Sequence, residues 1–333
     1  MIRVPYQNMF DEFLRVLLKI GFTPERAQLC AKLFAEASRD GVYTHGLNRF
    51  PRFINNIKNG YIKIDASPVK IETSGSLERW DGNHGPGNLN AYFCMNRAIE
   101  IAKEHGIGCV ALKNTHHWMR PGAYGLQAAE AGCIGICWTN TIPNMPPWGA
   151  KEPKLGNNPI VFAVPDEKGH ILLDMAVSMF SYGKLESYAL HDQMLPVDGG
   201  FDGEGNLTRD PKAVIKSHQP LPIGCWKGSG LSLLLDLIAM VLSGGNSALQ
   251  VGKFEVEMGL SQVFIAFDIS GLSGKDYINQ SLKETIVDLH NSTPIHEGGR
   301  ATYPGERMLE TRKENLEKGI PVEPVFWQQV LEM

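Results

Sequence analysis

The apolar residues of this chain change period twice, and that double switch constrains the fold more than any single motif does. Phe10, Phe13, Leu14, Leu17 and Leu18 recur at helical spacing, and Gly21 stops the run. Thr23-Pro24-Glu25 then reads as a helix start: a hydroxyl cap, a proline at the first position and an acid in the first turn. Ala27, Cys30, Leu33, Phe34 and Ala37 form its inner face, and Asp40-Gly41 closes it. A third helix is predicted from just after His45 to Asn59-Gly60, so the first 60 residues read as all-helical. From about residue 70 the pattern shortens. Runs rich in β-formers stand at 109–112, 134–138, 160–164, 171–175 and 263–267, each bounded by Gly, Pro or Asp. Helical patterns lie between them near 88–104, 122–132 and 228–243. Beyond 278 the helical spacing returns with no strong strand. The simplest arrangement is a mixed α/β (α+β) domain over 73–275, inserted into a helical domain built from residues 1–72 and 276–333.

Composition excludes several function classes. The net charge is −4 with no basic block, which argues against nucleic acid or an anionic membrane as a partner, because both need a concentrated positive footprint. The six cysteines show no C-x-x-C pair and read as reduced thiols of a cytoplasmic protein. The N-terminus lacks a signal peptide's apolar stretch. The longest apolar segment, 231–242, is too short to span a bilayer and carries Asp236. Residues 192–225, rich in Gly, Pro and Asp, read as a long ordered loop, a frequent home of function.

Conventional nucleotide motifs fail. Gly82-Asn83-His84-Gly85-Pro86-Gly87 has the wrong spacing for a Rossmann fingerprint. Gly252-Lys253-Phe254 lacks the upstream glycines of a P-loop, Gly228-Ser229-Gly230 is not a nucleophile elbow, and His116-His117 is an adjacent pair whose side chains diverge, a poor metal bite.

Three constellations survive. The first is Gly41-Val42-Tyr43-Thr44-His45-Gly46-Leu47-Asn48-Arg49-Phe50-Pro51-Arg52. An imidazole moves protons near neutral pH, and a guanidinium clamps a carboxylate. On a continuous helix His45, Arg49 and Arg52 would share one face. Local pattern alone favours an ordinary surface helix here. The second, Trp226-Lys227-Gly228-Ser229-Gly230, opens a helix whose free N–H groups and lysine suit a phosphate, or else it is a well-capped buried helix. The third runs from Asn114 to Gly125 after a strand, where ligand crevices form in α/β folds. His117 could orient a substrate oxygen there. Asp174 ends a strand and is either structural or an acceptor at the same crevice.

Longer, collinear motifs carry a resemblance. The stretch at 40–46, His117-Trp118-Met119-Arg120, ICWTN at 136–140, MPPWGAKE at 145–152, DMAVSMFSYGKLE at 174–186, LPVDGGFD at 195–202 and WKGSG at 226–230 resemble the malate/L-lactate dehydrogenase family of the second, non-Rossmann type. The resemblance covers nearly the whole chain. It implies a non-Rossmann, mixed-sheet nicotinamide-binding domain, a homodimer, and hydride exchange between the cofactor and a 2-keto or 2-hydroxy acid. NADH is the expected cofactor, with NADPH as the alternative; no metal is expected, and the partner is a small keto acid. His45 matches the family's proton donor. The cofactor segments match at His170, Ile171, Leu172, Leu173, Asp174, Met175 and Ala176, at Trp226-Lys227, and at Gly305-Glu306-Arg307. By residue type rather than by the resemblance, Arg49, with Arg52 as the alternative, would hold the substrate carboxylate. Two departures stand out: Glu306-Arg307 replaces a His-Glu pair, and the turn before the 170–176 strand is longer. Arg307 near a cofactor would favour a 2′-phosphate. The competing readings are a metal-assisted lyase at the 114–120 loop and a nucleotide-binding sensor without turnover.

Overall fold

The computed structural model describes residues 2–333. A short strand β1 (Ile2–Val4) leads into α1 (Tyr6–Lys19) and α2 (Pro24–Arg39). Two 3-10 turns, Tyr43–His45 and Leu47–Arg49, precede α3 (Phe50–Lys58). Phe13 stacks on Phe50 with ring centroids 4.3 Å apart, and Phe34 meets Phe50 edge-on. This aromatic centre also gathers residues from the far end of the chain. β11 (Ile320–Val322) pairs antiparallel with β1, and α12 (Pro324–Glu332), after α11 (Glu306–Lys318), buries Val330 in the same cluster.

The rest of the chain is built on a seven-stranded mixed sheet. It comprises β2 (Val69–Ser74), β3 (Leu77–Asp81), β4 (Ile107–Thr115), β5 (Cys133–Thr139), β6 (Ile160–Val164), β7 (Ile171–Met175) and β10 (Leu260–Asp268), in the order β2-β3-β4-β10-β5-β6-β7. Only the β3–β4 pairing is parallel. One face carries α4 (Gly87–His105) and α5 (Gly122–Glu130), packed through Met95, Ala98, Tyr124 and Phe264. Gly125 and Gly135 let α5 lie directly on the strands: a Cβ at Gly125 would fall 2.6 Å from Val161 Cγ1. The opposite face carries α8 (Trp226–Ser243), which buries Leu235 and Ala239. Trp138 Nε1 donates to Leu235 O, and Asn140 Nδ2 to Asp236 Oδ1, so a helix apolar enough to cross a membrane by composition is instead pinned to the sheet.

Several expectations need correcting. The first 60 residues are not all-helical, and the C-terminal region is not free of strand, because β1 and β11 pair; three residues each are too few to show a period. β2 was missed because it is an edge strand exposed along its whole length, with no buried face to impose alternation. The segment 192–225 is not one loop. It contains a hairpin, β8 (Gly200–Phe201) with β9 (Leu207–Thr208), and the helix α7 (Pro211–Ser217), and with α6 (Tyr182–Leu190) it closes over a small core of Leu185, Leu195 and Val214. The third helix starts at Phe50 rather than just after His45. Gly46 lies so close to α2 that a Cβ would fall on Ser38 Oγ, and Ser38 Oγ caps the Leu47 N–H at 2.9 Å, so the helix cannot run through.

Candidate active site

A cavity of about 1130 Å³ separates the aromatic cluster from the sheet. Three of the segments that reach it carry the residues singled out from the sequence. The break after α2 brings His45 and Arg49, the loop after β4 brings His117 and Arg120, and β7 with the residue after it brings Leu172, Asp174 and Ala176. The expected continuous helix does not exist, yet the two 3-10 turns and the start of α3 still bring His45, Arg49 and Arg52 to the cavity.

His45 and His117 lie nearly parallel, ring centroids 5.6 Å apart. Thr44 Oγ1 sits 3.2 Å from His45 Nδ1, which leaves Nε2 for the cavity. Burial, with Arg49 and Arg120 nearby, pushes the His45 imidazole down to about 3. His117 is driven the same way by burial and by the charge of Arg49. Both rings are therefore neutral near pH 7.

The surroundings of His117 are short of an acceptor. The Met119 backbone N–H donates to Nδ1 at 2.9 Å. A neutral imidazole then carries its proton on Nε2. Arg49 Nη2, also a donor, stands 2.9 Å from that Nε2. Arg49 Nε is buried with no partner in the protein. Converging donors of this kind want an anionic oxygen placed within reach of both. His116 does not join them: its ring turns away to face His84, 6.0 Å between centroids, so the adjacent histidines diverge as their spacing implied.

On the sheet side, Asp174 accepts the Gly122 N–H at the start of α5 at 2.8 Å. Burial raises its pKa, against the pull of Arg120 and that N–H. β7 is the last strand of its sheet, and Leu172 N–H crosses its outer edge to Pro304 O at 2.9 Å. Gly305, left-handed at φ 96°, approaches so closely that a Cβ would sit 3.1 Å from Leu172 N. The 170–176 and 305–307 segments, remote in sequence, are thus neighbours. Alternation along β7 sends Leu172, Asp174 and Ala176 to the cavity wall. Ile171, Leu173 and Met175 do not line it, Met175 packing instead against the core under α8. His170, holding the Asp166 N–H through Nδ1, flanks the strand, and Glu306 and Arg307 start α11 beside Gly305. Glu306 is paired with His290 and Arg300, while Arg307 is exposed. Trp226 and Lys227 are exposed at the start of α8 and lie outside the cavity wall.

Sequence reasoning missed Tyr182, Glu186, Asn144 and Glu257, all on the cavity wall. The four-residue spacing of Tyr182 and Glu186 was a usable signal. Glu257, one acid in an irregular loop, gave none.

Residues 4–331 match the family described as malate/L-lactate dehydrogenase. The chain is 46% identical over 330 residues to a 2,3-diketo-L-gulonate reductase of Citrobacter koseri, and 45% identical to that of Klebsiella pneumoniae, with 99% of each chain covered in both cases. Among solved structures it is similar to malate dehydrogenase from Entamoeba histolytica (TM-score 0.92, 28% identity, 99% of this chain and 96% of that one). It is also similar to sulfolactate dehydrogenase from Methanocaldococcus jannaschii (TM-score 0.90, 29% identity, 99% and 96%).

Proposed function

The chain belongs to the malate/L-lactate dehydrogenase family of oxidoreductases acting on hydroxy and keto acids, and from that premise we propose that it reduces 2,3-diketo-L-gulonate to 3-dehydro-L-gulonate. The observation that carries the reading is the donor pair at Arg49 and His117, open to an anionic oxygen beside a neutral imidazole at His45. The alternative substrates are malate-, lactate- or ureidoglycolate-type acids of the same family.

The residues present fit a nicotinamide dinucleotide. A ligand lying extended against the cavity side of β7 would meet Leu172, Asp174 and Ala176, beside Gly305, which packs so closely on Leu172 that a side chain there would press on the strand. His170, Ile171, Leu173, Met175, Glu306 and Arg307 would flank it, with Trp226 and Lys227 at the far end. When bound, the group supplies the hydride. NADH is the proposed donor, and Arg307, exposed beside Gly305, is the residue to test for tolerance of NADPH.

The chain's own residues do the rest. Arg49 and His117 Nε2–H hold the substrate carboxylate and fix the C2 carbonyl in place. His45 Nε2 gives its proton to the carbonyl oxygen as the alkoxide develops. Burial, with Arg49 and Arg120 nearby, keeps that imidazole neutral. The ring therefore takes a proton from solvent as the substrate binds: an added carboxylate offsets the field of Arg49 and Arg120 and raises the ring's affinity for a proton. In the reverse direction neutral His45 accepts the hydroxyl proton.

Two further statements belong to this reading. The outer face of α8 exposes Leu234, Leu237, Ile238 and Val241, with Trp226 at its start. A contiguous apolar stripe of this kind supports a homodimer closed through α8. The six unpaired cysteines support a reducing, cytoplasmic setting.

Oxidation of NADH and of NADPH over a panel of 2-keto acids tests the assignment. Diketogulonate should exceed pyruvate and oxaloacetate at least tenfold in kcat/KM. No cofactor oxidation with any keto acid, or a preference for oxaloacetate, overturns it.

A further inference from the structure

Glu257 lies in the loop between α9 (Ala248–Val251) and β10, on the same cavity wall as His45 and Arg49. The loop is held at both ends. Gly252 packs against Pro143, where a Cβ would fall 2.8 Å from the ring, and Asn246 Nδ2 donates to Gly259 O at 2.9 Å. One oxygen of the carboxyl it carries is left over: Glu257 Oε1 is buried and has no hydrogen-bond partner in the protein. Asn144 Oδ1, from the neighbouring wall, is buried and unpartnered as well. Buried acceptors without partners are rare in folded proteins, and each asks for an explanation. Both residues belong to the lining of the cavity to which Arg49 and Arg52 also contribute.

We propose that Glu257, with Asn144, determines substrate class by accepting hydrogen bonds from the hydroxyl groups of a polyhydroxylated acid whose carboxylate is held by Arg49. The inference rests on the keto-acid reading above and narrows it to sugar-derived acids. Two acceptors on the same cavity lining as the carboxylate clamp match O–H donors along the carbon chain of an acid held there. A three-carbon acid filling only the clamp leaves both unpaired in a closed site. A site built to bond a substrate hydroxyl rejects analogues that lack it, because its own polar groups are then stranded. Burial, working against Arg49, Arg52 and the Ile142 amide, raises the Glu257 carboxyl toward its neutral form. A neutral carboxyl both donates and accepts, as a hydroxyl does.

The experiment measures dissociation constants of L-gulonate and L-lactate by titration calorimetry in the presence of NADH, for the parent protein and for Glu257→Leu and Glu257→Gln. The parent should bind gulonate more tightly than lactate. Glu257→Leu should collapse the ratio of the two constants at least tenfold, and Glu257→Gln, which keeps a donor and an acceptor, should retain it within threefold. If the leucine variant does not fold, Glu257→Asp, one methylene shorter, should collapse the ratio in the same way. Equal losses for both ligands, or an unchanged ratio in Glu257→Leu or Glu257→Asp, overturns the proposal. Selective binding without turnover of any keto acid would leave Glu257's role standing and remove the reductase reading instead.

Discussion

Two charge clusters lie side by side at the end of α2, and they are finished to different degrees. Asp40 accepts from Arg39 Nε at 2.7 Å, from Arg312 Nε and Nη2 at 2.7 and 2.6 Å, and from Arg120 Nη1. It ties α2, the loop after β4 and α11 into one knot. Burial opposes its charge, but the guanidiniums of Arg312, Arg120 and Arg39 more than offset that and hold the carboxyl far below its usual range. The other cluster, Arg49 with His117 and Glu257, ends in a donor–donor approach and buried atoms without partners. Charges that satisfy one another fix a backbone; charges left open await a ligand. Arg120 joins the two, since its charge also reaches His45.

The largest effect should come from the open cluster. His45→Gln removes the group that exchanges a proton with the substrate and should lower kcat by three to four orders of magnitude, the upper range for a general acid. NADH affinity, read by fluorescence titration, should stay within about twofold. Near-normal turnover would move the chemistry elsewhere and break the contrast. Next comes Arg49→Ala, expected to lower kcat/KM about 10³-fold. Lysine there should recover little, because a point charge cannot reproduce a planar fork.

The contrast also marks what was legible in the sequence. The strands β4, β5, β6, β7 and β10 could be read, because each has a buried face and apolar residues to match. His45 and Arg49 could be named from residue type and resemblance, but not their geometry: Gly46, forced by contact with Ser38, breaks the helix that was to align them. The Asp40 knot was invisible because its arginines stand at 39, 120 and 312, and no local spacing relates them. Glu257 was hidden for the same reason. Hydrogen bonds that span 272 residues belong to the tertiary fold alone.

The closed cluster should answer in stability rather than rate. Asp40→Asn strands three guanidiniums around a neutral amide and should cost about 3 kcal/mol by urea unfolding at pH 7. Asp40 ionises more readily folded than unfolded, so its contribution is complete above the ordinary carboxylate range near 4 and fades as pH falls toward its folded value. The gap between parent and variant should therefore narrow on acidification. A constant gap would show that Asp40 acts through packing rather than charge.

The smallest effect sharpens the contrast from the other side. His45 and His117 are neutral in the folded protein, with His45 pushed down to about 3. Unfolded imidazoles titrate near 6.5. Below that pH the unfolded chain binds protons that the folded chain does not, so the stabilisation, complete above about 6.5, is lost as pH falls toward the folded values. This slope has the same sign as that from Asp40 but begins about two and a half units higher, which separates the clusters in one titration. His45→Gln should shallow the slope between pH 6 and 4.5, with each differential proton contributing about 1.4 kcal/mol per pH unit. Asp40→Asn should leave that upper segment intact. A saturating hydroxy acid should also shallow it, because an anion at Arg49 and His117 raises the affinity of both rings for protons. If the ligand leaves the upper slope unchanged, the open cluster does not take up a proton with its anion, and the source of the transferred proton has to be sought outside His45.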